Sequence, residues 1–192
     1  MAKFVVDPGH GGDKPGAVVD PDPAIPGDEI EEEDINLDVS LRLVQRLRDL
    51  GHEALSTRDR DVHVSLGQRR DMINKFKPDA FISIHCNASE SHASHGVEAF
   101  YRDGIDYSLA LAIQKPLAQM TGLRDRGVFR DIEDLHKRLT VLDNSENIPA
   151  TLVELGFIDN TVDREFILNN PNTIAEIIAD AVHGWAAERG KA

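Results

Sequence analysis

Short apolar runs alternate along the chain with longer stretches of helical periodicity. The runs lie at 3–6, 53–57, 79–85, 96–101, 139–143 and 150–157. Each is rich in aliphatic or aromatic residues and short enough for a buried strand, and most end at turn-forming or polar residues. The pattern therefore predicts six β-strands.

The stretches between these runs carry apolar residues at helical spacing, which predicts helices at about 35–50, 65–76, 106–121 and 173–188. Ser65 and Gln68 form a candidate capping box, and Gly51 and Pro78 follow two of the helices as stop signals. Strands that alternate with helices predict an α/β fold with a mostly parallel central sheet of about six strands flanked by helices. At 192 residues, we expect a single domain over 1–192.

The composition argues against several classes of binding partner. A formal net charge of −13 argues against unaided binding to nucleic acid or to an anionic surface. No apolar run approaches the roughly 20 residues of a membrane helix. The N-terminus, MAKFVVDPGHGG, enters a strand pattern at once, so we expect no signal peptide.

Cys86 is the single cysteine, and alternation along its strand predicts that it packs away from His85.

Reactive side chains follow three of the predicted strands. His10 comes just after the first strand, His85 ends the strand 79–85, and Glu154 lies in the strand 150–157. Because the carboxyl ends of parallel strands meet at one edge of a sheet, these side chains can converge. An acidic cluster at 31–34 precedes the first long helix. Two imidazoles and one carboxylate, with an open fourth position, form a recognised hydrolytic zinc set.

Each of these signals also has a structural interpretation. An isolated histidine at a strand end is commonly a hydrogen-bonded structural residue, and an acidic helix N-terminus is favoured by the macrodipole alone. Glu154 is different, because an ionisable residue within the run TLVELGF is costly to bury unless it has a partner or a function.

Taken together, the segments resemble the zinc-dependent N-acetylmuramoyl-L-alanine amidases of bacterial autolysins and phage endolysins. The resemblance covers essentially the whole chain and rests on DPGHGG at 7–12, TRDRD at 57–61, SLGQR at 65–69, SIHCNA at 83–88, GVEAFY at 96–101 and LVELGFIDN at 152–160. It implies hydrolysis of the amide bond between N-acetylmuramic acid and L-alanine in peptidoglycan.

The resemblance also implies roles for individual residues. One Zn²⁺ would be held by His10, His85 and a glutamate at the start of the first helix, with Glu154 as the catalytic carboxylate. The loop after His10 is longer than is usual in the family, so the position of the glutamate is counted back from Asn36. That count gives Glu32, with Glu31 and Glu33 as the nearest alternatives.

Further residues are candidates for substrate binding. Arg58, Arg69 and Arg126 could pair with carboxylates of the stem peptide, because a guanidinium binds a carboxylate through two hydrogen bonds. For Arg58 and Arg69, a structural pairing with nearby acidic residues is an equally good alternative to substrate binding. Asn87 is a further substrate-binding candidate. Surface or supporting roles are expected for the remaining histidines, which are His52, His63, His92, His95, His136 and His183.

Other functions use the same residues. A zinc peptidase or carbohydrate deacetylase would need a similar ligand set, and a catalytically silent wall-binding module would keep the fold. The lack of an evident export signal predicts a phage-type endolysin that is made in the cytoplasm and acts on the wall after release. The alternative is the excised catalytic domain of a secreted autolysin. Either could work with a separate wall-binding module.

Overall fold

Strands and helices follow one another in the alternating order that the apolar pattern predicts. The computed structural model describes residues 1–22, 24–25, 27–135, 138–143 and 148–191. The strands are β1 (Lys3–Pro8), β2 (Val18–Val19), β3 (Ile30–Glu31), β4 (Glu53–Ser56), β5 (Ala80–Asn87), β6 (Val97–Tyr101), β7 (Asp125–Arg130) and β8 (Ala150–Phe157). The α-helices are α1 (Glu32–Asp49), α2 (Leu66–Phe76), α3 (Gly104–Thr121), α4 (Asp131–Asp134), α5 (Thr161–Asn169) and α6 (Pro171–Ala187). A 3₁₀-helix spans Thr140–Leu142.

The central sheet has six strands in the order β4-β1-β5-β8-β6-β7. Strands β4, β1, β5 and β8 are parallel, β6 runs antiparallel to β8, and β7 runs parallel to β6. The predicted class, a mostly parallel sheet flanked by helices, is confirmed. The short strands β2 and β3 pair with each other in the loop between β1 and α1.

The two faces of the sheet are covered unequally. Helices α1, α3 and α6 pack on one face and form the larger apolar core. The opposite face carries a smaller core, which α2 and the 3₁₀-helix cover with Ile73 and Leu142. The second face therefore leaves room for an open groove near the carboxyl ends of β1, β5 and β8. Within the described ranges, no helix is both long and apolar enough to cross a membrane.

Local signals set both ends of α2, whose first turn borders this groove. The predicted capping box of α2 is present, since the Ser65 side chain accepts from the Gln68 amide and the Gln68 side chain accepts from the Ser65 amide. Lys77 caps the C-terminal end of α2 with a left-handed backbone and precedes Pro78.

Cys86 is buried in the larger core, so the prediction that it packs away from His85 is confirmed.

One predicted strand was wrong. Residues 139–143 do not join the sheet but form the 3₁₀-helix, where Leu139, Val141 and Leu142 cover the second face. The sixth strand is instead β7, whose sequence DRGVFR lies at the sheet edge and is only partly buried. A short run of apolar residues indicates that a segment is buried. It does not decide whether the segment is a strand of the sheet or, as here, a short helical turn that packs on the sheet.

Candidate active site

The side chains of His10, Glu32 and His85 converge at the carboxyl ends of β1 and β5. His10 Nε2 lies 3.1 Å from Glu32 Oε2, and His85 Nδ1 lies 3.0 Å from Glu32 Oε1. The two imidazole rings meet nearly edge to face, with 4.9 Å between their centroids. Among the described residues, this is the one group of histidine, cysteine and acidic side chains placed to hold a metal ion.

Glycines allow the backbone to approach this cluster. A Cβ atom on Gly9 would lie 2.3 Å from the His85 ring, and one on Gly16 would lie 2.4 Å from Glu32 Oε2. His10 itself has a φ of 64°, which is uncommon for a residue with a side chain. The backbone therefore approaches the cluster closely at Gly9 and Gly16, and it is strained at His10.

Glu32 is fixed by hydrogen bonds from outside the cluster. Its Oε2 accepts from the Ala17 amide at 3.0 Å, and its Oε1 accepts from Asn36 Nδ2 and the Cys86 amide, each at 3.1 Å. Burial alone would raise the pKa of Glu32, but hydrogen bonds and charge interactions with His10 and His85 hold it well below its ordinary value. The carboxylate is therefore ionised and aimed at both imidazoles.

The neighbouring glutamates are placed differently. Glu33 is buried on another side of the helix start, and its pKa is raised to about 7 by burial and by a hydrogen bond and charge interaction with Asp61. Glu31 belongs to β3 and pairs with Val18. The geometry thus favours Glu32 over the two alternatives left open by the sequence.

The cluster fits a zinc ion. One ligand atom from each side chain can be chosen so that all three lie within 4.8 Å of one another. Tetrahedral coordination with bonds of about 2.0–2.2 Å places ligand atoms roughly 3.3–3.5 Å apart. The imidazole nitrogens of His10 and His85 lie 3.1 and 3.0 Å from the Oε2 and Oε1 atoms of Glu32, respectively, which is close to that spacing. The donor set, two imidazole nitrogens and a carboxylate, is one that zinc prefers.

Glu154 lies beside this cluster on the same face of the sheet. It is directly opposite His85 on β5 and opposite Glu98 on β6. Its Oε2 is buried without a hydrogen-bond partner in the described part of the chain. Burial raises the pKa of Glu154 well above its ordinary value, and the charges of Glu32 and Glu98 add to the effect. Its Oε2 is therefore left available to a bound ligand.

Glu98 belongs to the site but was not among the residues singled out from the sequence. It is buried and accepts from Asn87 Nδ2 at 2.7 Å and from Arg126 Nε at 2.6 Å. The Arg126 guanidinium also stacks 4.9 Å from the centroid of the Phe157 ring. Like Glu154, Glu98 is an ionisable residue inside an apolar strand, so the signal that drew attention to Glu154 applied to it as well.

Arg58 and Arg69 are placed behind the cluster. They are only 3% and 6% exposed, and they donate mainly to backbone carbonyl groups. Arg69 also forms a buried ion pair with Asp7. For Arg69, the pair with Asp7 agrees with the alternative of a tie to an acidic residue, although its side chain also borders the open groove. Arg58 binds carbonyl groups instead.

An open groove of about 730 Å³ begins at His10 and His85 and runs across the second face of the sheet. Leu152 contributes to its floor, and residues 64–67 and 139–141 form its walls. Lys14 and Arg138 add positive charge to the lining, although Arg138 also pairs with Asp143. An extended chain with apolar and anionic groups would fit this shape and charge.

The other described histidines lie outside the cluster. His52 and His183 contact each other, His63 contacts Asp13 and His92 contacts Asp159. His95 is partly buried, and His136 lies outside the described residues.

The fold and the site together define the class of protein. It is an α/β domain with a candidate single-metal centre and a neighbouring carboxylate at the ends of its strands. A family model described as N-acetylmuramoyl-L-alanine amidase matches residues 4–184. The chain therefore belongs to the N-acetylmuramoyl-L-alanine amidase family.

Individual relatives agree with this assignment. The N-acetylmuramoyl-L-alanine amidase LytC of Bacillus subtilis is 33% identical over 162 residues, which cover 82% of this chain and 30% of LytC. CwlM of Mycobacterium tuberculosis is 32% identical over 189 residues, which cover 94% of this chain and 44% of CwlM. The chain thus spans less than half the length of either relative.

Solved structures show the same fold. The catalytic domain of CwlV, an N-acetylmuramoyl-L-alanine amidase from Bacillus (Paenibacillus) polymyxa var. colistinus, is 29% identical with a TM-score of 0.84, and the match covers 97% of this chain and 99% of that chain. Cwp6 from Clostridium difficile is 31% identical with a TM-score of 0.83, over 95% of this chain and 29% of that chain.

Proposed function

We propose that this chain is a zinc-dependent amidase that hydrolyses the bond between N-acetylmuramic acid and L-alanine in bacterial peptidoglycan. The observation that carries the proposal is the unpartnered, buried Oε2 of Glu154 beside the cluster of His10, Glu32 and His85. Membership of the amidase family supports the choice of substrate.

Amide hydrolysis needs a stronger nucleophile, a polarised carbonyl and a protonated leaving nitrogen. When bound, Zn²⁺ supplies Lewis acidity, which polarises a carbonyl group and lowers the pKa of a coordinated water to about 7. His10, Glu32 and His85 would hold the ion. Glu154 would take a proton from the attacking water and pass it to the departing alanine nitrogen. Its Oε2 is suited to this role because no protein donor among the described residues occupies it.

The groove supports the binding of an extended substrate. We expect the stem peptide to lie along Leu152, with its carboxylates near Lys14 and Arg138. Arg126 and Asn87 remain candidates for substrate contacts at the Glu154 end, where Glu98 holds both side chains. We also propose that residues 1–192 act as one catalytic domain, with wall attachment supplied by a separate module.

Product analysis tests the proposal. Purified peptidoglycan digested by the zinc-loaded chain should release stem peptides with a free N-terminal L-alanine and no new reducing sugar. Chelator should abolish the release, and zinc should restore it. Cleavage within the stem would indicate a peptidase, release of acetate a deacetylase, and no turnover in any metal state a silent binding module. Each of those results would contradict the proposal.

We also propose the finer assignment, a phage-type endolysin, with the catalytic domain of a secreted autolysin as the alternative. The CD27L endolysin catalytic domain shares the fold with a TM-score of 0.73, but at 22% identity the likeness extends to the fold only. The genomic setting tests this assignment: a gene within a lysis cassette would support it, and one within a chromosomal autolysin locus would contradict it.

A further inference from the structure

Two buried arginines approach the segment that carries His10. Arg58 donates to the carbonyl oxygens of Pro8 at 3.3 Å and Gly9 at 3.0 Å. Arg69 donates to those of Pro8 at 3.1 Å and His10 at 3.0 Å. Every carbonyl group of residues 8–10 thus accepts a hydrogen bond from an arginine.

Arg58 also reaches the second ligand segment. Its Nη2 donates at 2.7 Å to the carbonyl oxygen of Glu33, the residue that follows Glu32 at the start of α1. One guanidinium therefore joins the backbone beside His10 to the backbone beside Glu32. Asn36 forms a further link between the two segments, because its side chain donates to the Gly9 carbonyl and to Glu32.

The segment needs such support. His10 has a left-handed backbone, which a residue with a side chain keeps only when its surroundings enforce it. The Gly9 amide donates to Ile84, which fixes the segment from the sheet side. The arginines fix it from the other side. Arg69 is itself held by its ion pair with Asp7, which also accepts from Thr57 and Ser83.

The same contacts argue against a direct substrate role. Arg69 also donates Nε to the Val64 carbonyl, and Arg58 also donates Nη1 to the Arg60 carbonyl. Both side chains therefore direct most of their donors to the protein, even though Arg69 also borders the groove. A lysine could not replace them, because its single ammonium group lacks the planar fork that contacts several carbonyls at once.

We propose that Arg58 and Arg69 are positioning residues that set the metal geometry through the carbonyl groups of residues 8–10 and 33. This inference rests on the proposed function, since it assumes that His10, Glu32 and His85 bind zinc. Outer contacts of metal ligands typically contribute about 10–100-fold to metal affinity. We expect each arginine to fall in that range.

The test compares R58K and R69K with R102K as a matched control. Arg102 is also mostly buried and pairs with Asp131, but it lies at the opposite end of the sheet. Zinc affinity is measured by chelator competition, and coordination geometry by the visible absorption of the Co²⁺-substituted protein. R58K and R69K should bind zinc about 10–100-fold more weakly and show an altered Co²⁺ spectrum. R102K should match the native protein in both.

A variant that folds only with zinc still reports its affinity, through the dependence of its unfolding midpoint on zinc concentration. Native affinity and an unchanged spectrum in both R58K and R69K would overturn the inference, as would an equal loss in R102K. If the native chain binds no zinc, or if its binding is insensitive to H10A and H85A, the proposed function fails as well. The two failures are thus distinguishable.

Discussion

Glu154 and Asp131 are both acidic side chains near the second face of the sheet, but they lie at opposite ends of it. Glu154 is near the carboxyl end of β8, beside the metal-site cluster. Asp131 follows β7, which runs the other way, so it lies level with the start of β8. The two sites differ in what the protein supplies to the carboxylate.

Asp131 is fully satisfied by protein groups. It accepts from Arg102, from the Ile132 amide at 2.8 Å and from the Leu139 amide at 2.9 Å. Burial alone would raise the pKa of Asp131, but the hydrogen bonds from these donors lower it below its ordinary value. Its role is to tie the 3₁₀ segment to the end of the sheet.

Glu154 has the opposite environment. One oxygen is buried with no protein donor in the described residues, and burial together with Glu32 and Glu98 raises the pKa of Glu154. Buried polar atoms in proteins are nearly always hydrogen-bonded. Several buried atoms of the described residues have no partner, and the Glu154 oxygen is the one on the residue directly opposite His85 in the sheet. The contrast is that the protein supplies every hydrogen bond to Asp131 but leaves one oxygen of Glu154 for a ligand.

The largest expected effect concerns Glu32. E32A should lower zinc affinity by more than the about 100-fold that outer contacts contribute, because it removes a ligand that both imidazoles face. E31A and E33A are matched controls, because they remove the same type of side chain from the same segment. Zinc titration against a competing chelator checks this, and selective loss of zinc by E31A or E33A would assign the ligand to another glutamate.

The sequence predicted the larger features of the fold because they follow from burial. Long amphipathic helices such as α1 and α6 and the apolar strands β5 and β8 are specified by local pattern. Strand β7 was missed because its sequence, DRGVFR, is polar and contains a glycine, and its pairing with β6 is a long-range contact. Helix α5 was missed because it is short, at nine residues, and its cap at Asn160 is a single local signal.

The candidate site, like the fold, was predicted only in part from the sequence. His10, His85 and Glu154 could be placed together because strand ends locate them. The contacts of Arg58 and Arg69 could not, because they are made with backbone carbonyl groups that carry no sequence signal. Composition alone does not reveal whether an arginine faces a substrate or its own backbone.

A second prediction concerns the stability of the opposite end. D131N should lower the free energy of unfolding by about 1.5–3 kcal/mol, the range for hydrogen bonds to charged groups. A larger loss is not expected, because Arg102 keeps a second partner in Asp143. Urea unfolding measures the change. An unchanged midpoint would show that this ion pair contributes little.

A smaller effect is expected from His52, which also lies at the end of the sheet opposite the metal-site cluster. Its Nδ1 accepts from the Ala2 amide, so its proton is on Nε2 and faces His183 Nδ1 at 2.9 Å. Burial and His183 lower the pKa of His52 below 6.5. As the pH falls, the unfolded chain therefore takes up the proton first, and stability is lost from about pH 6.5 downward.

H52Q should remove part of this pH dependence, because glutamine can accept from the Ala2 amide but does not titrate. Unfolding free energies of the native chain and H52Q, measured in chelator between pH 8 and pH 5, provide the comparison. The native chain should lose more stability than H52Q below about pH 6.5. Parallel curves would contradict this role for His52.

The most direct measurement determines kcat, zinc content and unfolding free energy for E154Q and D131N side by side. E154Q should keep its zinc and stability but lose about 10²–10⁴-fold in kcat on a defined muropeptide, because the amide cannot accept the proton of the attacking water. D131N should lose stability and keep its kcat. Turnover by E154Q within a few-fold of the native rate would contradict the account, and loss of zinc from E154Q would make Glu154 a ligand instead of the proton carrier.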